Sequence, residues 1–251
     1  MIELHRTATS TNDLALEAAR ETSGRHGACW VADQQTEGRG RREVGGRRRR
    51  WFSPADSNIY MSVLLRPEIE PGEASSMTLA AGLGIADALV EQTGADIWLK
   101  WPNDLYVDGR KLGGILTEAH TEHGELAGVV VGLGINVNVS ADQVPDELTD
   151  IMTSLHIETG RLWDRMSLAF EVRDQLVERC DAFAEQGMSA IIDDLRDYDR
   201  SEGRSVEIQR GGDWVEGVSR GIGEEGQLVV EVDGEKLDVK AGEVRFPGFI
   251  G

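Results

Sequence analysis

Lysine is scarce in this chain: it stands only at 100, 111, 236 and 240, against 22 arginines. Basic residues of both kinds number 26 against 45 acidic ones, for a formal charge of −19. A general nucleic-acid binder presents a net basic face, so the charge argues against that class. Cysteine is nearly absent. Cys29 and Cys180 lie far apart and give neither a disulfide framework nor a metal-ligand spacing. Long apolar runs are missing too. The longest, Leu126 to Val137, falls short of the ~20 residues that a membrane helix needs. Met1 to Ser10 lacks the apolar core of a secretory signal. The expected location is the cytoplasm, with no membrane partner.

What is present suffices for a folded protein. The 251 residues are 40% hydrophobic, enough for one large domain and a small one. Dispersed acid with little lysine is the composition of a protein kept hydrated in a salt-rich cytoplasm. Helical and strand patterns interleave over the first part of the chain. Ser10-Thr11-Asn12-Asp13 reads as a helix N-cap. Ala28–Gln34, Asn58–Arg66 and Ile97–Trp101 read as strands, and Ala74–Thr93 as a helix. Asp108-Gly109 marks a hairpin between Leu105–Val107 and Leu112–Ala119. Leu126–Val139 reads as a long strand, and Trp163–Phe183 and Ala190–Tyr198 as helices. From Arg204 onward only short strands remain: Val206–Gln209, Trp214–Ile222, Leu228–Val232 and Lys236–Lys240. The expectation is an α+β fold, a mixed or antiparallel sheet with helices over residues 1–201, followed by a small SH3-like β-barrel over 202–251.

One segment departs from the acidic background. Residues 38–50 hold seven Arg and one Glu, a charge of +6, which leaves −25 on the rest of the chain. Its glycines predict a segment without order until an anion arrives. Arginine forks suit phosphates and carboxylates, and Trp51 follows directly with a face for stacking a nucleobase. Three readings fit: a solvated loop offsetting acidic surface, a weak nucleic-acid patch, or a site for a small phosphorylated ligand such as ATP.

Two of the four lysines, Lys100 and Lys111, fall within twelve residues, in Lys100-Trp101-Pro102-Asn103-Asp104 and Arg110-Lys111-Leu112-Gly113-Gly114. A lysine in an arginine-using chain marks a compact charge aimed at one oxygen. Asp104 suits either an Asx turn or the orientation of a cation. Gly132-Leu133-Gly134 sits inside an apolar strand, where glycine marks a bulge or a close approach. It lacks the third glycine of a dinucleotide fingerprint. Asn136, with both donor and acceptor, matches the edge of adenine.

Together these blocks, with Ser10-Thr11-Asn12, Gln35, Gly38-Arg39-Gly40-Arg41-Arg42 and Trp51-Phe52-Ser53-Pro54, resemble the catalytic core of biotin–protein ligases, in the family's order. The resemblance implies a class II synthetase-like catalytic domain that acts as a biotin–[biotin carboxyl-carrier protein] ligase. Biotin and Mg²⁺-ATP would give biotinyl-5′-AMP and pyrophosphate, and a lysine of a biotin carboxyl carrier domain would then take the biotin. By this similarity Ser10, Thr11, Gln35, Arg39 and the backbone at Gly132 and Gly134 hold biotin. Arg41 and Lys111 sit at the reacting carboxylate and α-phosphate. Lys100 holds polyphosphate, and Trp51 and Asn136 contact adenine. Asp104 lies near the carrier lysine or the metal. Asn12, Gly38, Gly40, Asn103 and Gly113, in the same blocks, complete the ligand-contacting set. Mg²⁺ is expected on ATP's phosphates rather than on protein ligands, and a homodimer is left open.

Two departures from the family pattern stand out. The loop between Arg42 and Trp51 is longer than usual, eight residues from Glu43 to Arg50, so the phosphate-contacting arginine is not singled out among Arg47 to Arg50. The core begins by residue 10, which points to a monofunctional ligase without a DNA-binding helix-turn-helix. A lipoate or octanoyl ligase and a non-catalytic adenylate-binding protein are the alternatives.

Overall fold

The computed structural model describes residues 1–21, 24–42 and 48–247, with the backbone alone for 41, 42 and 48–50. In chain order the elements are β1 (Ile2–His5), α1 (Thr11–Arg20), β2 (Ala28–Ala32), β3 (Arg39–Arg42), β4 (Arg48–Arg50), β5 (Ile59–Leu65), α2 (Met77–Thr93), β6 (Trp98–Lys100), β7 (Asp104–Val107), β8 (Arg110–Glu122) and β9 (Glu125–Ile135). They continue with α3 (Leu155–Thr159), α4 (Arg165–Gln186), α5 (Ile192–Asp197), β10 (Ser205–Arg210), β11 (Asp213–Ile222), β12 (Leu228–Val232), β13 (Glu235–Val239) and β14 (Val244–Arg245).

Seven strands form one mixed sheet in the order β1-β2-β5-β9-β8-β7-β6. Only β1 and β2 run parallel among these pairs. Alternate residues of a strand face opposite ways, and here both faces are covered. On one face Val31, Met61, Val63, Val131 and Leu133 pack with Leu83 of α2 and Leu176 of α4. On the other, Trp30, Leu64 and Val130 pack with Ala15 and Ala19 of α1. Each such fully buried aliphatic side chain contributes about 1.5–3 kcal/mol. Helices α2 and α4 touch backbone to backbone at Gly84, where a β-carbon would lie 2.5 Å from the Gln175 carbonyl oxygen.

Local chemistry sets the element boundaries. The β7–β8 hairpin turns at Asp108 (φ 46°) and Gly109 (φ 74°). Both lie in the left-handed region that a tight two-residue hairpin requires. Helix α4 starts later than its pattern predicts because the Asp164 carboxylate accepts from the Met166 and Ser167 amides. Helix α1 corrects one expectation. Ser10 occupies the N-cap in extended conformation, but its side chain makes no cap hydrogen bond. Gln35 Oε1 accepts from the Thr11 amide instead, at 2.8 Å. The segment 38–50 is also corrected. Its described parts, β3 and β4, pair as an antiparallel ribbon whose base is closed by the Trp51 amide donating to the Gly38 carbonyl. Residues 43–47 lie outside the described residues.

The C-terminal strands form a five-stranded antiparallel sheet in the order β13-β12-β11-β10-β14. Its apolar face, with Val206, Ile208, Leu228 and Val230, joins the core of the large sheet without a break. Trp101 Nε1 donates to the Gly226 carbonyl at 3.0 Å and Arg196 Nε to the Ile222 carbonyl at 3.0 Å. No described helix is long and apolar enough to cross a membrane.

Asp199 lies on the connection between the two sheets. Its carboxylate accepts from the Ser201 amide at 2.9 Å and the Ser201 hydroxyl at 3.0 Å. Burial pushes its pKa above the ordinary value, and the Ser201 bonds oppose this only in part. The folded state therefore holds a proton that the unfolded chain gives up, so stability falls as pH rises from the ordinary carboxylate pKa through the raised one. Asp199→Asn removes this titration while keeping an acceptor for Ser201. Urea midpoints from roughly pH 4 to pH 7 are expected to fall more for the native chain than for the variant. Parallel curves would refute the assignment.

Candidate active site

The site follows from strand register. Gly132 and Gly134 share a face of β9 with Val130. Across the ladder, Val130 pairs with Leu64 and Glu118, Gly132 with Ser62 and Leu116, and Gly134 with Tyr60 and Gly114. Helix α1 covers the row at Val130. Beyond it the glycines raise no side chains, and a small hollow of about 40 Å³ opens, lined by Ser10, Thr11, Asn12, Gln35, Arg39, Gly40 and Trp51. The first turn of α1 rests on the strand. A β-carbon on Gly132 would lie 1.8 Å from Asn12 Oδ1, and one on Gly134 would lie 2.6 Å from Trp51 Nε1.

One end of the hollow is built from hydroxyls and amides. Thr11 Oγ1 donates to Gln35 Oε1 at 3.3 Å, and Ser62 Oγ lies 2.7 Å from Thr11 Oγ1. Ser62 Oγ donates to Asn12 Oδ1 at 2.6 Å, and Asn12 Nδ2 donates to Glu118 Oε2 at 2.7 Å. Gln35 is held because the Ala8 amide donates to the Gln34 carbonyl and the Thr36 amide to the Ala8 carbonyl. Gly38 backs it closely, since a β-carbon there would sit 3.1 Å from Gln35 Nε2. Arg39 donates to Asp13 Oδ1 at 2.6 Å and to Glu118 Oε2 at 3.3 Å. The Asp13 hydrogen bond, against the cost of burial, holds its pKa above the usual value.

Farther along the same sheet face, past Gly114, the site is cationic. Register shifts between Leu105 and Tyr106, so Gly113 faces Leu105 while Lys111 faces Tyr106, leaving Leu112 as an extra, buried residue. Such a bulge re-aims side chains. It turns Lys111 onto the face of Asp104 and Gly114, where Lys111 Nζ pairs with Asp104 Oδ1 at 2.7 Å. The ammonium also lies 5.4 Å from the centre of the Trp51 ring. Lys111 is fixed at its backbone, its amide donating to the Ile151 carbonyl and its carbonyl accepting from the Thr153 amide. Lys100, paired in register with Asp104, is buried and donates to Tyr106 Oη at 3.3 Å.

The remaining expected residues have more structural surroundings. Asn103 Nδ2 donates to the Ile115 carbonyl at 2.9 Å, holding the β6–β7 turn on β8. Asn136 is buried, with Oδ1 accepting from Asn58 Nδ2 at 3.2 Å and Nδ2 directed at the Lys111 carbonyl at 3.5 Å. Gly113 lies against β9, where a β-carbon would meet the Gly134 carbonyl oxygen at 2.8 Å. The side chains of Arg41 and of Arg48 to Arg50, and all of Arg47, lie outside the described residues. Ser62, Glu118, Asp13 and Asn58 belong to the network and carry no motif of their own.

Three buried polar atoms in this region, Arg39 Nε, Trp51 Nε1 and Asp104 Oδ1, have no hydrogen-bond partner among the described residues, although Asp104 Oδ1 meets the Lys111 ammonium as an ion pair. Native proteins rarely leave such atoms unmet except where a ligand or water completes them. Among the described residues no group of three His, Cys, Asp or Glu side chains is arranged to hold a metal ion.

Residues 4–136, more than half of the chain, match the biotin/lipoate A/B protein ligase family. The chain belongs to that family. It is 35% identical over 236 residues to the bifunctional ligase/repressor BirA of Salmonella typhimurium, covering 94% of this chain and 71% of that protein. It is 32% identical over 240 residues to a biotin–[acetyl-CoA-carboxylase] ligase of Mycobacterium tuberculosis, covering 94% of this chain and 85% of that one. The biotin protein ligase of Aquifex aeolicus in complex with biotin and ATP superposes with a TM-score of 0.82 at 28% identity, covering 98% of both chains. The α+β core expected from the sequence, with a five-stranded antiparallel sheet where the small SH3-like barrel was expected, matches the architecture of these family members.

The contact between α1 and β9 is directly testable. Gly132→Ala forces Asn12 or the strand to move, and overpacking of this kind costs about 1–3 kcal/mol. Gly72→Ala, where a β-carbon meets nothing within 4 Å, serves as the control. Urea denaturation is expected to show the loss at Gly132 alone. Equal midpoints for the two variants would mean that the contact is not tight.

Proposed function

We propose that the chain is an ATP-dependent biotin–protein ligase, more finely a biotin–[biotin carboxyl-carrier protein] ligase. Residues 1–201 form the catalytic unit and 202–251 a small unit packed beside it. One observation carries this reading: a single sheet face joins an amide- and hydroxyl-rich hollow, whose one guanidinium, Arg39, is held by Asp13 and Glu118, to a lysine-bearing end. Biotin has the same polarity, a neutral ureido bicycle with a carboxylate tail. Relatives that are named biotin ligases, and a related structure that holds biotin and ATP, support it.

Ser10, Thr11, Asn12, Gln35 and the backbone of Gly38, Gly40, Gly132 and Gly134 receive the bicycle. The tail then points to Lys111. A carboxylate oxygen attacks the α-phosphorus of ATP, a P–O bond to pyrophosphate breaks, and biotinyl-5′-AMP forms. Two anions must approach each other in this step, so preorganised cations dominate its catalysis. Lys111 and Arg41 stand at the reacting oxygens, and Lys100 at the polyphosphate. Mg²⁺ carried on ATP's phosphate oxygens adds to that neutralisation. The Trp51 ring, lying over Gly134, offers a stacking face for adenine, while Asn136, Asn103 and Gly113 hold the surrounding backbone. The ribbon β3–β4 and its arginines cover the mixed anhydride against water. In the second step the carrier lysine's nitrogen bonds to the acyl carbon, AMP leaves, and Asp104 is placed to take the amine proton.

Lys111→Ala is expected to lower ATP–pyrophosphate exchange by at least about a hundredfold in a protein that still folds. An exchange rate equal to the native one would refute the role. Labelled biotin and lipoate offered with ATP and a carrier domain separate the two branches of the family; transfer of lipoate alone would replace this reading. Arg41→Ala is expected to spread biotin label to proteins other than the carrier. Label confined to the carrier counts against retention by this arginine.

A further inference from the structure

We infer that Glu118 is a positioning residue that fixes which end of the Asn12 carboxamide faces the ligand, and so makes the hollow select a ring bearing N–H donors. The inference rests on the biotin reading above and goes beyond it in naming what enforces the choice of ring.

The two ends of a carboxamide are nearly the same size, and only their partners decide which way it points. Asn12 Nδ2 faces Glu118 Oε2 at 2.7 Å and the Leu116 carbonyl at 3.3 Å. Neither partner can donate, so a flipped amide would set oxygen against two oxygens. The carboxylate supplies the stronger of the two bonds, being charged as well as shorter. Asn12 Oδ1 is thereby held over Gly132, where a β-carbon would lie only 1.8 Å away. Ser62 Oγ occupies one of its lone pairs, at 2.6 Å. The second lone pair remains for a donor entering the hollow. A cyclic urea presents ring N–H groups, whereas a dithiolane ring presents none. Glu118 Oε2 also accepts from Arg39 at 3.3 Å, so one carboxylate oxygen ties the amide to the guanidinium beside it. Asp13 holds Arg39 independently at 2.6 Å, so removing Glu118 frees Asn12 before it frees Arg39.

The test is steady-state adenylation with biotin and ATP by the full chain and by Glu118→Ala, Glu118→Gln, Asn12→Ala and the Glu118→Ala/Asn12→Ala double variant. Glu118→Ala is expected to raise the KM for biotin about tenfold, the worth of one buried hydrogen bond, with kcat and the KM for ATP unchanged. Glu118→Gln, which keeps an acceptor oxygen, is expected to restore most of the native KM. The double variant is expected to be no worse than Asn12→Ala, because Glu118 acts through Asn12. Glu118→Thr, a strand former too short to reach Asn12, should reproduce the alanine result and guards against loss of folding. Additive effects in the double variant overturn the inference. So does a glutamine variant as impaired as alanine, which would place the effect in the charge on Arg39. So does a parallel rise in the KM for ATP. Native protein that releases no pyrophosphate with biotin sinks the ligase reading itself; native turnover with any of the other three results sinks the role of Glu118 alone.

Discussion

The first turn of α1 sits directly on the backbone of β9, and the rest of the site depends on that contact. Only a strand without a side chain at Gly132 lets Asn12 come so near. Glycine weakens a strand interior by roughly 0.5–1 kcal/mol, and the neighbouring ladders of β5 and β8, paired along nearly their whole length, offset that cost. The close seat brings the Thr11 amide to Gln35 and the Asn12 amide to Glu118, and it leaves Gly134 open beneath Trp51. Helix, sheet and hollow are therefore one packing solution rather than a scaffold with a pocket cut into it.

Where chemistry depends on neighbours in sequence, the chain could be read directly. Asp108-Gly109 marked its hairpin, the short strands after Arg204 marked the second sheet, and the rarity of lysine drew attention to Lys100 and Lys111. Where chemistry depends on neighbours in space, it could not. Ser10 has the look of a cap, yet the cap comes from Gln35, 24 residues on. Glu118 looks like an ordinary polar residue on a long strand, and its partner Asn12 lies 106 residues away. The strand read as Leu126–Val139 stops at Ile135, because Asn136 and Asn138 turn their amides to Asn58 and to the Trp163 backbone. The glycines of segment 38–50 suggested a segment without order, but its described parts pair as a ribbon whose base is closed at Gly38 and Trp51.

Charge divides the molecule in the same way. The −25 outside the arginine segment is an excess of acids over bases, and surface ion pairs such as Arg200–Asp96 and Lys240–Glu225 are exposed and worth little. Among the described residues of the site, Arg39 pairs with Asp13 and Glu118, and Lys111 with Asp104. An anionic substrate would meet cations already oriented by fixed carboxylates, so little reorganisation is left for the reacting step.

The bulge at Leu112 has an evolutionary corollary. Lys111 shares the face of Asp104 and Gly114 only because the strand there carries one residue more than its partner. Its position is thus written in the spacing of the chain as much as in the identity of the residue. Descendants of this sequence can exchange many side chains along β7 and β8 without turning the lysine away. Loss of the Leu112 codon would turn the lysine to the other face of the sheet.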